Sequence, residues 1–409
     1  MAAPASGSGK TTITLGLLRA LSQDGVPVRG AKSGPDYIDP RFHAAACGAP
    51  CTNLDAWAMT PDRLKTLAAG SPLIIEGAMG LFDGAPPDGK GAVADLARLF
   101  DLPVILVVDA ARMAQSIAPL VAGFAHHDHK VRIAGVILNK VGSQRHEEML
   151  RAALANIGVT VLGAVMRDAA LAMPSRHLGL VQAGEHPDLT GFLDHAAATM
   201  RKAISFDALP ELRPMPDQIR RAITPPAQRI AVAQDAAFAF AYPHLLADWQ
   251  AAGAEVRLFS PLNNDAAPAA DLIYLPGGYP ELYAGTLAAN TRFMASLKDR
   301  RVYGECGGYM VMGHALTDAD GVTHQMAGLL DLHTSFAQRK LHLGYRDLEA
   351  AAGPFQGRWK GHEFHYATTV SAKGTPLFQA KDARGTELAP MGLVNDLASG
   401  SFAHLIDRA

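Results

Sequence analysis

The chain has 409 residues, enough for two or three domains, and 49% of them are apolar, ample for large cores. A net charge of −2 leaves neither the basic footprint of a nucleic-acid binder nor an acidic tail. There is no apolar run of ~18 residues and no signal-peptide pattern, and three cysteines do not suggest a disulfide framework. A cytoplasmic protein without nucleic-acid or membrane partners is therefore expected.

Taken in order, Met1-Ala2-Ala3 leads into a glycine-rich run, Ala5-Ser-Gly-Ser-Gly-Lys10-Thr11-Thr12, which opens a segment of helical apolar spacing reaching Leu21. Glycines let backbone N–H groups turn inward around an anion, and a helix N-terminus adds its positive dipole end. Gly7, Ser8, Gly9, Lys10, Thr11 and Thr12 thus read as a phosphate cradle. Lys10 can reach the β/γ-phosphates, and the Thr11 hydroxyl is placed for Mg²⁺. The form departs from G-x-x-x-x-G-K-[ST], because Pro4 stands at the first glycine position. A buried strand should precede such a loop, and with so few residues available the first strand is expected to be truncated or absent.

Residues 26–32 read as a short strand running into a turn-rich loop that holds Lys32, Asp36 and Asp39. Cys47 and Cys51 have no second pair, so a zinc site is not expected. Apolar runs at 73–76, 103–109, 133–140 and 159–163 alternate with helical patterns at 91–100, 115–126 and 146–156. Unbroken apolar strands alternating with helices imply a parallel, doubly wound α/β sheet, with ligands at the carboxyl ends of its strands. Lys32 and Asp36, Glu76, Asp109 and Asn139 all fall just past their runs. His126-His127-Asp128-His129 ends a helix and reads as a solvated turn rather than a metal cluster.

Proline-rich composition between 205 and 228 marks a linker, so the domains are placed at 1–204 and 229–409. A second α/β pattern follows, with strands at 229–235, 255–259 and 271–275 and a helix at 242–252. Then Gly304-Glu-Cys306-Gly-Gly308 lies between a strand and a helix, the cysteine form of a nucleophile elbow. The glycines permit a strained turn, and the helix N-terminus is expected to lower the thiol pKa. A buried structural cysteine is the competing reading. His404 offers the base, with His362 and His365 as competitors, and N–H groups of Gly277 or Gly278 and of Gly307 could form an oxyanion hole. These are the parts for hydrolysing an amide through a thioester.

Several blocks carry a resemblance in chain order: Ser6-Gly-Ser-Gly-Lys-Thr-Thr12, Gly34-Pro-Asp-Tyr-Ile-Asp-Pro40, Asn53-Leu-Asp55-Ala-Trp57, Glu76-Gly-Ala-Met-Gly-Leu-Phe-Asp-Gly84, Arg176-His-Leu-Gly-Leu180, Pro276-Gly-Gly-Tyr-Pro-Glu281, Gly361-His-Glu-Phe-His365 and Ser401-Phe-Ala-His404. Together they resemble the cobyrinic/hydrogenobyrinic acid a,c-diamide synthases. That family joins a dethiobiotin-synthetase-like P-loop ATPase domain to a class I glutamine amidotransferase domain, so two doubly wound α/β domains are implied. The implied chemistry is ATP- and glutamine-dependent amidation, through an acyl phosphate, of the a and c side-chain carboxylates of hydrogenobyrinic or cobyrinic acid.

The resemblance also implies roles. Thr11, Asp36 and Glu76 become Mg²⁺ candidates, and Lys32 would steady the transferring phosphoryl group. Asn139 would read adenine, and Tyr37, Asp39, Asp55 and Asp83 would position substrate. Class I amidotransferases place a glutamate two residues past the catalytic histidine. Ile406 stands there, so a Cys306–His404 dyad is expected, with slower or more tightly gated glutaminase. Other amidotransferases of the group, such as one acting on nickel sirohydrochlorin, remain open, as do a partitioning-type ATPase switch and a binding module with an inactive glutaminase. A homodimer is also left open.

Overall fold

The computed structural model describes residues 1–176, 179–218 and 222–409. The chain divides into two compact units, Met1–Arg220 and Arg221–Ala409. In the first, the apolar runs form β1 (Arg29–Ser33), β2 (Thr52–Leu54), β3 (Leu73–Glu76), β4 (Val104–Asp109), β5 (Ile133–Val141) and β6 (Val161–Met166). The intervening patterns form α1 (Lys10–Gln23), α2 (Asp39–Cys47), α3 (Pro61–Ala68), α4 (Val93–Phe100), α5 (Ile117–His127), α6 (Gln144–Ala155) and α7 (Leu189–Ala203). A short antiparallel pair, β7 (Ser175–Arg176) and β8 (Gly179–Leu180), lies within the Arg176-to-Leu180 block. His177 and Leu178 of that block lie outside the described residues.

The strands pair in the parallel orders β2-β1-β3 and β4-β5-β6. Residues 1–3 join the two triplets. Met1 N donates to Ile75 O at 2.7 Å, and Gly77 N and Leu81 N donate to Met1 O and Ala3 O, each at 2.8 Å. On the other edge Ala2 N donates to Ile105 O (2.9 Å) and Val107 N to Ala2 O (2.8 Å). A paired segment thus does precede the phosphate loop: these three residues carry the sheet across from β3 to β4. A cavity of about 960 Å³ adjoins Met1 and Ala2 and is lined by Leu17, Ile74, Val93, Phe100, Ile105 and Phe206. The core on the two faces is aliphatic, with Leu106, Val136, Leu138 and Leu154 on one and Ile13, Val107, Ile137 and Val165 on the other. The proline-rich stretch runs back along this unit, where Met215 bridges to Gly70.

The second unit opens with β9 (Arg229–Ala233), α8 (Pro243–Ala251), β10 (Glu255–Phe259), β11 (Leu272–Leu275), α9 (Ala284–Ala289), α10 (Thr291–Ser296), β12 (Val302–Glu305) and α11 (Gly307–Met312). It continues through β13 (Ala315–Thr317), β14 (Thr323–Gln325), β15 (Asp331–Ser335), β16 (His342–Ala350), β17 (Gly357–His365) and β18 (Thr368–Lys373). It ends with β19 (Phe378–Asp382), β20 (Leu393–Val394), β21 (Ala398–Ser401) and β22 (His404–Arg408). The main sheet runs β10-β9-β11-β12-β21-β20, parallel except for β20. Strands in the order 2-1-3-4 make a doubly wound sheet with its ligand crevice at the carboxyl ends of the strands. Two four-stranded sheets, β14-β13-β15-β18 and the antiparallel β19-β16-β17-β22, add to the unit. In the second of these, β22 pairs with β17, setting His404 opposite His362.

Candidate functional site

The phosphate loop is shaped by what holds its carbonyls. Ser8 Oγ donates to Ala5 O (2.9 Å), Asn139 Nδ2 to Ser8 O (2.9 Å) and Lys140 Nζ to Gly7 O (3.1 Å). A peptide's N–H and C=O point opposite ways, so tying the carbonyls outward turns N–H groups toward the loop's interior. Gly9 adopts φ +89°, and a Cβ there would lie 2.0 Å from Asn139 Nδ2, so the close approach of Asn139 requires glycine. Lys10 is buried, and its ammonium donates to Met79 O at 2.6 Å. Burial, then the charge of Lys32, lower its pKa to about 8.

The ends of β1 and β3 and the start of α2 converge on one carboxylate. Glu76 Oε1 accepts from Thr11 Oγ1 at 2.5 Å and from Lys32 Nζ at 2.8 Å. Its Oε2 lies 2.6 Å from His43 Nε2, and His43 Nδ1 lies 3.5 Å from Cys51 Sγ. Lys32 also donates to Asp39 Oδ2 at 2.5 Å. Burial pushes Glu76 up, but the Lys32 charge and the His43 hydrogen bond outweigh it and hold the carboxyl well below the ordinary range. Burial lowers Lys32, yet Asp39 and Glu76 raise it on balance. Asp39 is pushed up to about 7, first by burial and then by the charge of Asp36. These buried charges are mutually paired, as burial demands.

The other expected residues of this unit act on backbone here. Asp36 Oδ1 accepts from Ile38 N (2.8 Å) and Asp39 N (3.0 Å) at the start of α2. Asp55 Oδ1 accepts from Trp57 N and Ala58 N, and Asp83 Oδ2 from Gly80 N. Tyr37 is buried beside this loop. Asp109 is paired with Lys140 at 2.7 Å, so it supports the phosphate loop through that lysine. His126 is exposed at the end of α5 and bonds Ala122 O, as a solvated helix end does.

In the second unit Cys306 follows β12 and caps α11 with φ +46° and ψ −105°. Such a conformation costs about 1–3 kcal/mol and persists only where its surroundings impose it. Here Cys306 N donates to Ser401 O (2.8 Å), Gly308 N to Pro276 O (3.1 Å) and Met310 N to Cys306 O (3.1 Å). Gly277, just past β11, sits between the thiol residue and the imidazole. A Cβ on it would lie 2.2 Å from His404 Cε1, 2.8 Å from Nε2 and 3.2 Å from Cys306 Cβ. Gly278 N lies 3.0 Å from where a Gly307 Cβ would be, so the candidate oxyanion donors share one corner. We expect Gly277→Ala to keep the fold but cut glutamine hydrolysis by about 10²-fold or more, the usual loss when an oxyanion donor or base is displaced. Glutamate release would measure it, and wild-type turnover would remove Gly277 from the site.

The expected lowering of the thiol pKa is reversed. Cys306 is only 1% exposed, and burial, then the charge of Glu281, push it well up despite the Gly307 N–H. Burial and the neighbouring His362 and His365 push His404 down to about 3. The resting pair is therefore a thiol beside a neutral imidazole. Of the competing histidines, His365 bonds Glu363 Oε1 at 2.8 Å and is stacked between His342 and Phe402. It is His404 that, with Cys306, borders Gly277.

Residues 1–181 match the CobQ/CobB/MinD/ParA nucleotide binding domain, and residues 229–408 the CobB/CobQ-like glutamine amidotransferase domain. A hydrogenobyrinate a,c-diamide synthase of Brucella anthropi is 54% identical over 426 aligned positions, covering 100% of this chain and 98% of that one. The same enzyme of Brucella abortus is 56% identical, and that of Rhizobium meliloti 54%, with the same coverage. The chain belongs to the hydrogenobyrinate a,c-diamide synthase family. It is a two-part α/β member, with a nucleotide-binding domain and a glutamine amidotransferase domain.

Two buried groups of this family member lie outside the residues that the sequence singles out. His43 is wholly buried against Glu76, and its only local signal is Gly30, where a Cβ would lie 2.7 Å from His43 Nδ1. Glu305 precedes the nucleophile cysteine, and its Oε2 lies 3.6 Å from His404 Nδ1. Ile406 does leave the usual glutamate position without a carboxylate, but a buried one reaches the same imidazole from β12.

Proposed function

We propose that this chain makes amides on a corrin ring, converting the a and c side-chain carboxylates of hydrogenobyrinic or cobyrinic acid with ATP and glutamine. The observation that carries the reading is the union in one chain of a strained elbow cysteine beside a buried imidazole and a phosphate loop whose Thr11 and Lys32 converge on Glu76. Full-length similarity to relatives of that name supports the substrate class. We read residues 1–204 as the ATPase and amide synthase domain, 205–228 as a linker and 229–409 as the amidotransferase domain.

The donor set fits Mg²⁺. Thr11 and Glu76 are hard oxygen ligands 2.5 Å apart, and the charge of Asp36 acts on the same cluster through Lys32 and Asp39. Thr11, Asp36 and Glu76 would hold the ion, which neutralises phosphate charge when bound. The N–H groups of Gly7, Ser8, Gly9 and Thr12, with Lys10, would seat the phosphates, and Asn139 borders the loop where it could meet the base. Tyr37, Asp39, Asp55 and Asp83 lie in the loops beside the cluster and would orient the carboxylate. Lys32 steadies the γ-phosphoryl group as the carboxylate oxygen forms its bond to phosphorus and the bond to ADP breaks. Ammonia then attacks the acyl carbon, phosphate leaves with the bonding pair, and the nitrogen sheds a proton to give the amide.

In the second unit His404 Nε2 takes the Cys306 proton as sulfur attacks the glutamine amide carbon. Gly307 with Gly278 or Gly277 donates to the oxyanion, and ammonia leaves with the proton from His404. Water then opens the thioester to glutamate, with His404 as base. A cytoplasmic setting accords with three buried thiols, and no helix of the described residues is long and apolar enough to cross a membrane. Incubation with glutamine, ATP, Mg²⁺ and hydrogenobyrinic or cobyrinic acid, followed by mass spectrometry, tests the whole. Replacement of two OH groups by NH₂ is expected. An unchanged ring alongside glutamine and ATP turnover would overturn the substrate.

A further inference from the structure

The residue before the nucleophile is a buried glutamate that the ordinary arrangement of such a site does not use. Glu305 ends β12 and is 1% exposed. Its Oε2 accepts from Tyr274 OH (2.8 Å), and its Oε1 accepts from Tyr303 OH (3.3 Å) and from Leu405 N (3.2 Å). Leu405 directly follows His404, so the carboxylate is fixed to the backbone that carries the imidazole. The ring is oriented by two independent distances. Its Cε1–Nε2 edge lies against Gly277, which Cys306 also borders, and its Nδ1 lies 3.6 Å from Glu305 Oε2.

We propose that Glu305 is the positioning residue of His404, holding the Nδ1–H tautomer so that Nε2 faces the thiol. The proposal rests on the reading of this unit as a glutaminase. The chemistry requires such a group. As the thiol passes its proton to Nε2, a positive imidazolium forms in a fully buried place, and the Glu305 carboxyl, 3.6 Å from Nδ1, offsets that charge once it is ionised. Burial holds the carboxyl up at about 8 even though the donors from Tyr274, Leu405 N and Tyr303 favour the ionised form. Other groups facing the pair are His362, His365 and Glu363 around the imidazole, and Cys306 itself. The Phe240 backbone also contacts the ring and is the rival for orienting it.

The test is glutaminase kinetics of the full chain as a function of pH. For Glu305→Gln we expect kcat for glutamine to fall about 10²-fold or more with KM little changed, the loss of a positioned acid–base partner. The acidic limb of kcat/KM should move to lower pH, because the imidazolium loses its anion and no carboxyl proton must leave first. Glu305→Asp should recover at least about tenfold of the loss. Tyr274→Phe, which keeps the carboxylate but removes one donor, should move the limb the other way, to higher pH; it serves alone if Glu305→Gln does not fold. A Glu305→Gln enzyme within threefold of wild type would show that Phe240 suffices and overturn the proposal. So would a drop in kcat with an unmoved limb and no recovery in Glu305→Asp, or an unmoved limb in Tyr274→Phe. Retention of glutamine use by a Cys306→Ala control would instead sink the glutaminase reading itself.

Discussion

Replacement of Cys306 by alanine is expected to abolish glutamine-dependent amidation while amidation fed by ammonium salts persists. The sulfur is the atom that forms the thioester, and a triad's nucleophile alone accounts for roughly 10⁶ in rate, so glutamate release should fall by at least about 10⁴-fold. The fold should tolerate the change. Alanine at φ +46° bears the same backbone strain as cysteine, about 1–3 kcal/mol, and loses one buried atom. The three backbone hydrogen bonds that fix the elbow involve no side chain. Ammonia reaches the acyl phosphate step without the thiol, so product mass with ammonium at alkaline pH should match that of the wild-type enzyme. If ammonium also failed in a folded variant, the division of labour between the two units would be wrong.

The sites were legible where a buried parallel strand ends. Such strands are continuous apolar runs, so the polar residue that terminates one stands out: Glu76 after Leu73-Ile-Ile, and Lys32 near the end of β1. Cys306 stood out because strain at an elbow must be met by glycines on either side. What escaped was set by tertiary approach. Met1-Ala2-Ala3 is too short to read as a strand, and it counts as one because both flanking strands offer their edges to it. His43 looks like an ordinary residue of a short helix until α2 is laid on β1 above Gly30. Glu305 carries a charge in a strand whose neighbours are apolar or aromatic, which could have flagged it. Its role depends on β22 returning beside β17 and bringing His404 next to β12, and no local pattern encodes that return. The thiol's low acidity is hidden in the sequence for a related reason. A six-residue helix offers little dipole, and complete burial decides the sign.

Glu76→Gln is expected to remove amidation with either nitrogen source, which separates it from Cys306→Ala. An amide of the same shape keeps one oxygen and replaces the other with a donor. The carboxylate now accepts from Thr11 and Lys32 on one oxygen and faces His43 on the other. Turned one way its NH₂ meets the Lys32 ammonium, and turned the other it faces His43 Nε2, which accepts only as the neutral Nδ1–H tautomer. Lys32 keeps Asp39, but the buried site loses the charge that balances it, and breaking such a pair costs about 3–5 kcal/mol. Urea denaturation should therefore show a loss of roughly that size. Near-UV circular dichroism below the transition would establish that the variant is folded under assay conditions. In that folded state, synthesis from ammonium should fall by about 10²-fold or more, because the γ-phosphoryl site has lost a fixed anion and its hold on Lys32. Synthesis at the wild-type rate would remove Glu76 from the chemistry and leave it a structural counterion. An inactive but folded enzyme would instead tie carboxylate activation to the cluster that Thr11, Lys32 and His43 build around this one side chain.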